Sequence, residues 1–273
     1  MDKNTEKHVR ISILATIIDY CNQNNLDYFV GFGSMLGAVR ENRMIEWDYD
    51  IDVLMPKPDF ELFVHGFNTV NGRFRVLENS ITPNFVSRLA IVQDMNTYNI
   101  TKPEMSKINP LKRICVEIYP IDGVPKNSVL RWIRFTKTRI LGEMLKISQS
   151  DTSINRGIIK NSLIRIGKFF VRQSPNTIVG KLKKLTAKND YNLCEYTSVY
   201  IHGGPYPEKT LFPKSIYLNY TVMDFERLKV RVPLEYDRWL KQVYGDYMVP
   251  PSDSEKKKSI RLRDTYDYDF ISQ

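Results

Sequence analysis

The chain has 273 residues, of which 42% are hydrophobic, 12% aromatic and 26% charged, with a formal net charge of +9. This fits one large domain or a core with an elaboration, and it excludes wholesale disorder; no uncharged stretch approaches the roughly 18 apolar residues of a membrane-spanning helix. The start, MDKNTEKHVR, lacks the apolar run of a secretory signal, so a cytoplasmic location is expected.

From the amino end, Ile11, Leu14, Ile17, Ile18 and Cys21 recur at spacings of three and four and predict a helix, which Asn22 to Asn25 break. Asp27 to Phe32 reads as a strand running into Gly33 and Ser34, where Ser34 can cap a short helix through Arg40. After a polar loop, Trp47 to Leu54 alternates, with Asp48, Asp50 and Asp52 on one side and Tyr49, Ile51 and Val53 on the other. Pro56 and Pro58 start a helix with Phe60, Phe63, Val64 and Phe67 on its apolar face. Further strands are expected at 74–77, 88–93 and 113–119, the last ending at Pro120 before an Asp122-Gly123 turn. This alternation of helix and strand predicts an α/β or α+β core with four or five strands.

From Ser128 the pattern is helical and basic, with helices expected near 128–147, 156–172 and 176–187, separated by a break at Ser148 to Ser153 and by Pro175. Residues 126–188 hold 15 Lys/Arg against only Glu143 and Asp151, a net +13 that leaves −4 for the remainder. A mildly acidic body is thus joined to a basic helical region, unlike a uniformly cationic nucleic-acid binder. The region mixes Trp132, Ile133, Phe135, Ile140, Leu163, Ile166, Phe169, Phe170 and Val171 with its cations. Two readings stay open: peripheral contact with a membrane surface through 126–188, or a helical layer packed on the core with its basic face in water. Beyond it come a Gly/Pro loop at Tyr200 to Pro207, short strands from Tyr217 to Val232 and a helix from Leu234 to Tyr244 ended by Gly245. Cys21, Cys115 and Cys194 fit neither a disulfide framework nor a zinc site, and His8, His65 and His202 lack metal-ligand spacing.

The chemistry concentrates in Gly33 to Arg40 and Trp47 to Asp52. A glycine turn at a helix N-terminus offers backbone N–H groups and a positive dipole end to a phosphate. Two residues apart on a strand, Asp50 and Asp52 stand roughly 7 Å apart at Cα and can share a Mg²⁺ or Mn²⁺ ion. Such carboxylates repel one another beside Trp47, Ile51 and Val53 unless a cation joins them or the strand is a solvated edge; the upstream glycine-serine turn favours the cation. An EF-hand is disfavoured, because its sixth position is Val53 and its twelfth Asp59. Gly31, Gly33 and Gly37 miss the dinucleotide-binding fingerprint by one residue. Arg40 either neutralises the same phosphate or sits solvated at its helix end, and Trp47 either stacks on a base or sugar or belongs to the core.

The run GSMLGAVRENRMIEWDYDIDVLM at 33–55 resembles the signature of the LicD/fukutin phosphotransferases, a branch of the nucleotidyltransferase-fold superfamily: G-[ST]-L-L-G-A-x-R, a spacer, then W-D-[DY]-D-[IV]-D. CVEIYPIDGVP at 115–125 resembles the strand that brings a third acidic residue, and VPLEYDRWLKQVYGDYMVPP at 232–251 resembles the C-terminal block. The resemblance implies an α+β, nucleotidyltransferase-like mixed β-sheet core over 1–125, an inserted basic helical region over 126–190, and a C-terminal part, 191–273, that packs back on the core. It implies Asp50 and Asp52 as paired metal ligands, Asp48 as an additional acid and Glu117, where the pattern more often has Asp, as third ligand or base. Gly33, Ser34 and Arg40 would face the donor phosphate. The implied activity moves a phosphoalkyl group, such as phosphocholine or an alditol phosphate, from a CDP-linked alcohol to a hydroxyl of a glycan or glycolipid, releasing CMP, with Mg²⁺ or Mn²⁺ as cofactor and no nucleic acid as partner. Two alternatives are nucleotidyl transfer from an NTP to a small alcohol or sugar, and a non-catalytic lipid- or nucleic-acid-binding module.

Overall fold

Asp2 starts the first helix by accepting from the backbone N–H groups of Asn4 and Thr5, at 2.9 and 3.0 Å. That helix, α1 (Lys3–Gln23), buries the predicted stripe, including Ile11, Leu14 and Ile17, and also Ile13. The computed structural model describes residues 1–69, 72–82, 84–100, 113–150, 158–200, 207–263 and 268–271. After α1 come β1 (Phe29–Val30), α2 (Phe32–Glu41), β2 (Asp52–Pro56), α3 (Lys57–Gly66), β3 (Phe74–Leu77), β4 (Ala90–Asp94), β5 (Thr97–Asn99) and β6 (Cys115–Val124). The basic helices are α4 (Ser128–Gln149), α5 (Ile158–Phe170) and α6 (Pro175–Thr186). There follow β7 (Tyr196–Val199), β8 (Phe212–Pro213), β9 (Tyr220–Phe225), β10 (Leu228–Pro233), α7 (Tyr236–Tyr244), α8 (Asp253–Arg263) and β11 (Tyr268–Phe270).

A mixed seven-stranded sheet forms the centre, in the order β1-β2-β6-β4-β3, with β7 on β6 and β8 on β7. The path of five strands comes from the first 125 residues, as the alternation predicts. Within it β2 and β6 run parallel, pairing Asp52 with Glu117, and the other pairs are antiparallel. Two antiparallel pairs stand apart, the hairpin of β9 with β10 and the long-range pair of β5 with β11. One core takes in α1, α3, the sheet and also Phe225, Val230, Trp239 and Leu240 from the C-terminal part; Leu145, Ile178, Val179 and Leu182 of α4 and α6 make a separate small cluster. Cys21 and Cys115 are buried free thiols, and Cys194 is half-buried.

Several boundaries differ from expectation. The strand at 27–32 shrinks to β1, because the chain turns into a helix at Phe32, and that helix is capped at Gly31, not Ser34. The strand at 47–54 begins only at Asp52; Asp48 to Ile51 form a lead-in outside the strand, tied to β6 where the Glu117 N–H donates to the Ile51 carbonyl at 2.9 Å. Similarly, β6 does not stop at Pro120. It pairs with β4 up to Ile118 and with β7 from Ile121, so Pro120 falls where the partner changes. The expected turn at Asp122-Gly123 is therefore strand. Asp122 is buried and paired with Arg88, and Gly123 is needed because a Cβ there would lie 2.7 Å from Cys194 Sγ and 2.9 Å from the Asn189 carbonyl. β5, β11 and α8 carry too weak a pattern to be expected. Parts of the expected 148–153 break, 156–172 helix and 200–207 loop lie outside the described residues, as does His202.

Candidate active site

The parallel register of β2 and β6 sets Asp52 beside Glu117, and the lead-in to β2 brings Asp50 and Asp48 to the same place. Asp52 is 8% exposed. Its carboxyl is pushed well above the usual range by burial first, then by the charges of Asp50, Glu117 and Asp48. Burial likewise raises Asp48, with the Asp50 charge and a hydrogen bond to Asp50 adding to it. Asp50 is raised by burial, against the pull of its bond to Asp48 and of Arg10. Glu117 is pushed up to about 7 by burial and the Asp50 charge, partly offset by the Tyr119 hydroxyl, which donates to Glu117 Oε2 at 2.5 Å. The four predicted carboxylates are thus together. Among the described residues no three His, Cys, Asp or Glu side chains stand close enough to make a ready ligand cage, so the acids converge without closing into a fixed set. Oxygen donors whose mutual repulsion a cation would relieve suit a hard divalent ion such as Mg²⁺ or Mn²⁺, which would hold them ionised.

The glycine-serine turn has a different part from the one expected. Phe32 opens α2 at φ +45°, a conformation that costs a bulky residue and is held by burial of its ring against Tyr119 and Trp239, at centroid distances of 5.7 and 5.3 Å. Gly33 lies against Asp48: a Cβ there would collide with the carboxylate oxygen Oδ2. Replacing Gly33 by Ala is expected to displace Asp48 and lower turnover about 10²-fold with little loss of helix, checked by kinetics beside circular dichroism. Ser34 is buried, and its Oγ accepts the Asp52 N–H at 3.0 Å, so it fixes the start of β2 and is not open to a donor. Arg40 also points elsewhere. Its guanidinium bonds Glu41 Oε1 at 2.8 Å and the Tyr247 carbonyl at 3.2 Å. It lies 5.8 Å from the Trp47 ring, which Lys256 also faces at 5.1 Å.

The cations near the acids come instead from α1. A cleft of about 420 Å³ adjoins the cluster, lined by Lys3, Lys7, Arg10, Arg43, Asp48 and Tyr49. In the ligand-free chain these cations rest on carboxylates: Lys3 and Arg10 on Glu6, at 3.0 and 3.3 Å, and Lys7 on Glu226 at 2.5 Å. Their spacing, 3, 7 and 10, marks one helix face and is a signal that sequence reasoning passed over. The second omission is Tyr244 at the end of α7, a residue 43% exposed whose phenol is pushed up by desolvation and then by the charges of Asp52, Asp48 and Asp50.

Comparison with known proteins matches residues 25–140 to the family described as LicD/FKTN/FKRP, nucleotidyltransferase domain. The chain is also 24% identical over 260 residues to Lipopolysaccharide cholinephosphotransferase LicD of Haemophilus influenzae, covering 91% of this chain and 94% of that protein. The family match contains Gly33, the three aspartates and Glu117; the longer alignment extends beyond it to cover most of the chain.

Proposed function

We propose that this chain, which matches the LicD family over residues 25–140 and resembles a LicD cholinephosphotransferase over most of its length, is a metal-dependent phosphotransferase with a nucleotidyltransferase-type core. It moves a phosphoalkyl group, phosphocholine or an alditol phosphate, from a CDP-linked alcohol to a hydroxyl of a cell-surface glycan or glycolipid. The relative's acceptor, lipopolysaccharide, is the model for the acceptor class. The observation that supports the reading is the meeting of four buried carboxylates beside a cleft whose lining includes Lys3, Lys7, Arg10 and Arg43.

Asp50, Asp52 and Glu117, with Asp48 beside them, would hold a Mg²⁺ or Mn²⁺ ion, which supplies neutralisation of the donor diphosphate and of the departing phosphate oxygen. Arg10, Lys7 and Arg43 bind the anionic donor, exchanging their present carboxylate partners for phosphate oxygens. Gly33 leaves room for Asp48, and Ser34 holds the Asp52 backbone so that its carboxylate keeps its place. Glu117, anchored by Tyr119, serves as third ligand or accepts the proton of the attacking hydroxyl; a group near neutrality suits the second task. Incubation with CDP-choline or a CDP-alditol, Mn²⁺ and a glycan acceptor is expected to release CMP. The match to a nucleotidyltransferase domain favours one second reading, nucleotidyl transfer, and pyrophosphate from an NTP with no CMP from CDP-alcohols would decide for it.

A stability measurement tests the acid cluster without turnover. Glu117 is held near 7 against an ordinary 4.5, so the folded chain binds more protons than the unfolded one between those values. Its contribution is full below about pH 4.5 and is lost as pH rises through about 7. The metal-free protein is thus expected to melt lower at pH 8 than at pH 5, and Mn²⁺ to raise Tm more at pH 8. A Tm indifferent to Mn²⁺ at both values would remove the metal from the proposal.

A further inference from the structure

The apolar residues of the basic helices divide into two sets. Phe135 and Leu145 of α4 and Ile178, Val179 and Leu182 of α6 are buried, as an ordinary helical layer requires. On α5, by contrast, Leu163, Ile166, Phe169 and Phe170 are 63, 56, 66 and 75% exposed. At about 100° per residue these four fall on one arc of the helix, with Arg165, Lys168 and Arg172 on or just beyond the adjoining arc. Ile164, Gly167 and Val171 take the third arc, which is the packed one. A Cβ on Gly167 would lie 3.1 Å from Ile147 Cγ2 of α4, and Val171 packs on the α4–α6 cluster. α5 therefore has a face that the fold uses and a face that it leaves in water.

Charge selects the occupant of that free face. No Asp or Glu occurs from 152 to 189, within a stretch carrying 15 Lys/Arg against two acids. A second copy meeting the first through this face would set cation against cation. An anionic lipid surface accepts both sets, the apolar side chains among the acyl chains and the cations at the phosphates. Among the described residues no helix is long and apolar enough to cross a membrane, and the 13 residues of α5 span about 20 Å, suited to lying in the interface.

We propose that the outward face of α5 docks the protein flat on an anionic bilayer, with Leu163, Ile166, Phe169 and Phe170 inserted and Arg165, Lys168 and Arg172 at the headgroups. The test is co-sedimentation of the full chain with vesicles of one part phosphatidylglycerol to two parts phosphatidylcholine, and with phosphatidylcholine alone. Binding to the anionic vesicles is expected to be at least ~10-fold stronger and to weaken in high salt. Changing Leu163, Phe169 and Phe170 together to Ser is expected to abolish it with an unchanged circular dichroism spectrum. Should that variant misfold, Phe170→Asp, at the most exposed of the four, is expected to weaken binding ~10-fold by itself. Equal binding to both vesicle types, binding to neither, or full binding by the folded variants overturns the proposal. So does a wild-type dimer in light scattering that these changes convert to monomer without any vesicle binding. CMP release from soluble substrates is expected to be the same in wild type and variants, so failure here leaves the phosphotransferase reading standing.

Discussion

Replacing Asp52 by Asn is expected to lower kcat/KM for the proposed phosphoalkyl transfer by at least ~10³-fold, about 4 kcal/mol of transition-state stabilisation, while the protein stays folded. The substitution keeps the shape of a side chain that is 8% exposed and removes one ligand oxygen charge. It also relieves the repulsion that Asp50, Glu117 and Asp48 exert on Asp52. Thermal stability of the metal-free variant should accordingly match or exceed that of the wild type, and Mn²⁺ should no longer raise it. On the proposed metal role, activity and stability are expected to move apart, because the cluster would then serve a cation and not the resting fold. CMP release and a melting curve on one preparation check both halves. Turnover within tenfold of wild type, or a lowered Tm, would place Asp52 in the scaffold.

Replacing Trp239 by Ala is expected to cost about 3–5 kcal/mol in urea unfolding. Trp239 is fully buried, stacks on Phe212 at 5.9 Å, meets Phe32 at 5.3 Å and donates its indole N–H to the Tyr217 hydroxyl at 2.9 Å. Truncation leaves a cavity and a buried hydroxyl without its partner, the latter worth about 1–3 kcal/mol of that total. It also removes one of the two rings that hold Phe32 at positive φ, so the start of α2 should relax. Activity is expected to fall more than the loss of folded protein explains, measured at a temperature where the variant is still native. Trp239→Phe, which keeps most of the volume, should recover much of both. A variant as stable as wild type would mean that the C-terminal part does not brace the site.

The grouping of the aspartates was legible in their alternation with Tyr49, Ile51 and Val53. Their hydrogen-bonded boundary was not, since it depends on where Gly31 and Phe32 turn the neighbouring chain away. The same distinction explains Pro120, whose missing N–H reads as a stop although its strand only changes partner there. Ser34 carries the letters of a cap and Arg40 those of a phosphate contact. Tertiary neighbours decided otherwise, an Asp52 N–H in one case and Glu41 with the Tyr247 carbonyl in the other. Lys3, Lys7 and Arg10 were readable in spacing, but nothing local says that the first helix passes beside the aspartates. Tyr244 was readable only as part of a pattern, for the same reason.

The pairing of Asp52 with Glu117 across β2 and β6 makes the site unequally tolerant of insertions and deletions. Adding or removing one residue in β6 before Glu117 turns that acid through the sheet and sets Val116 or Ile118 against Asp52. Length changes in connecting segments leave that pairing untouched. Divergent relatives should therefore vary in the spacing between their acidic motifs while keeping a fixed count from each motif to the middle of its own strand.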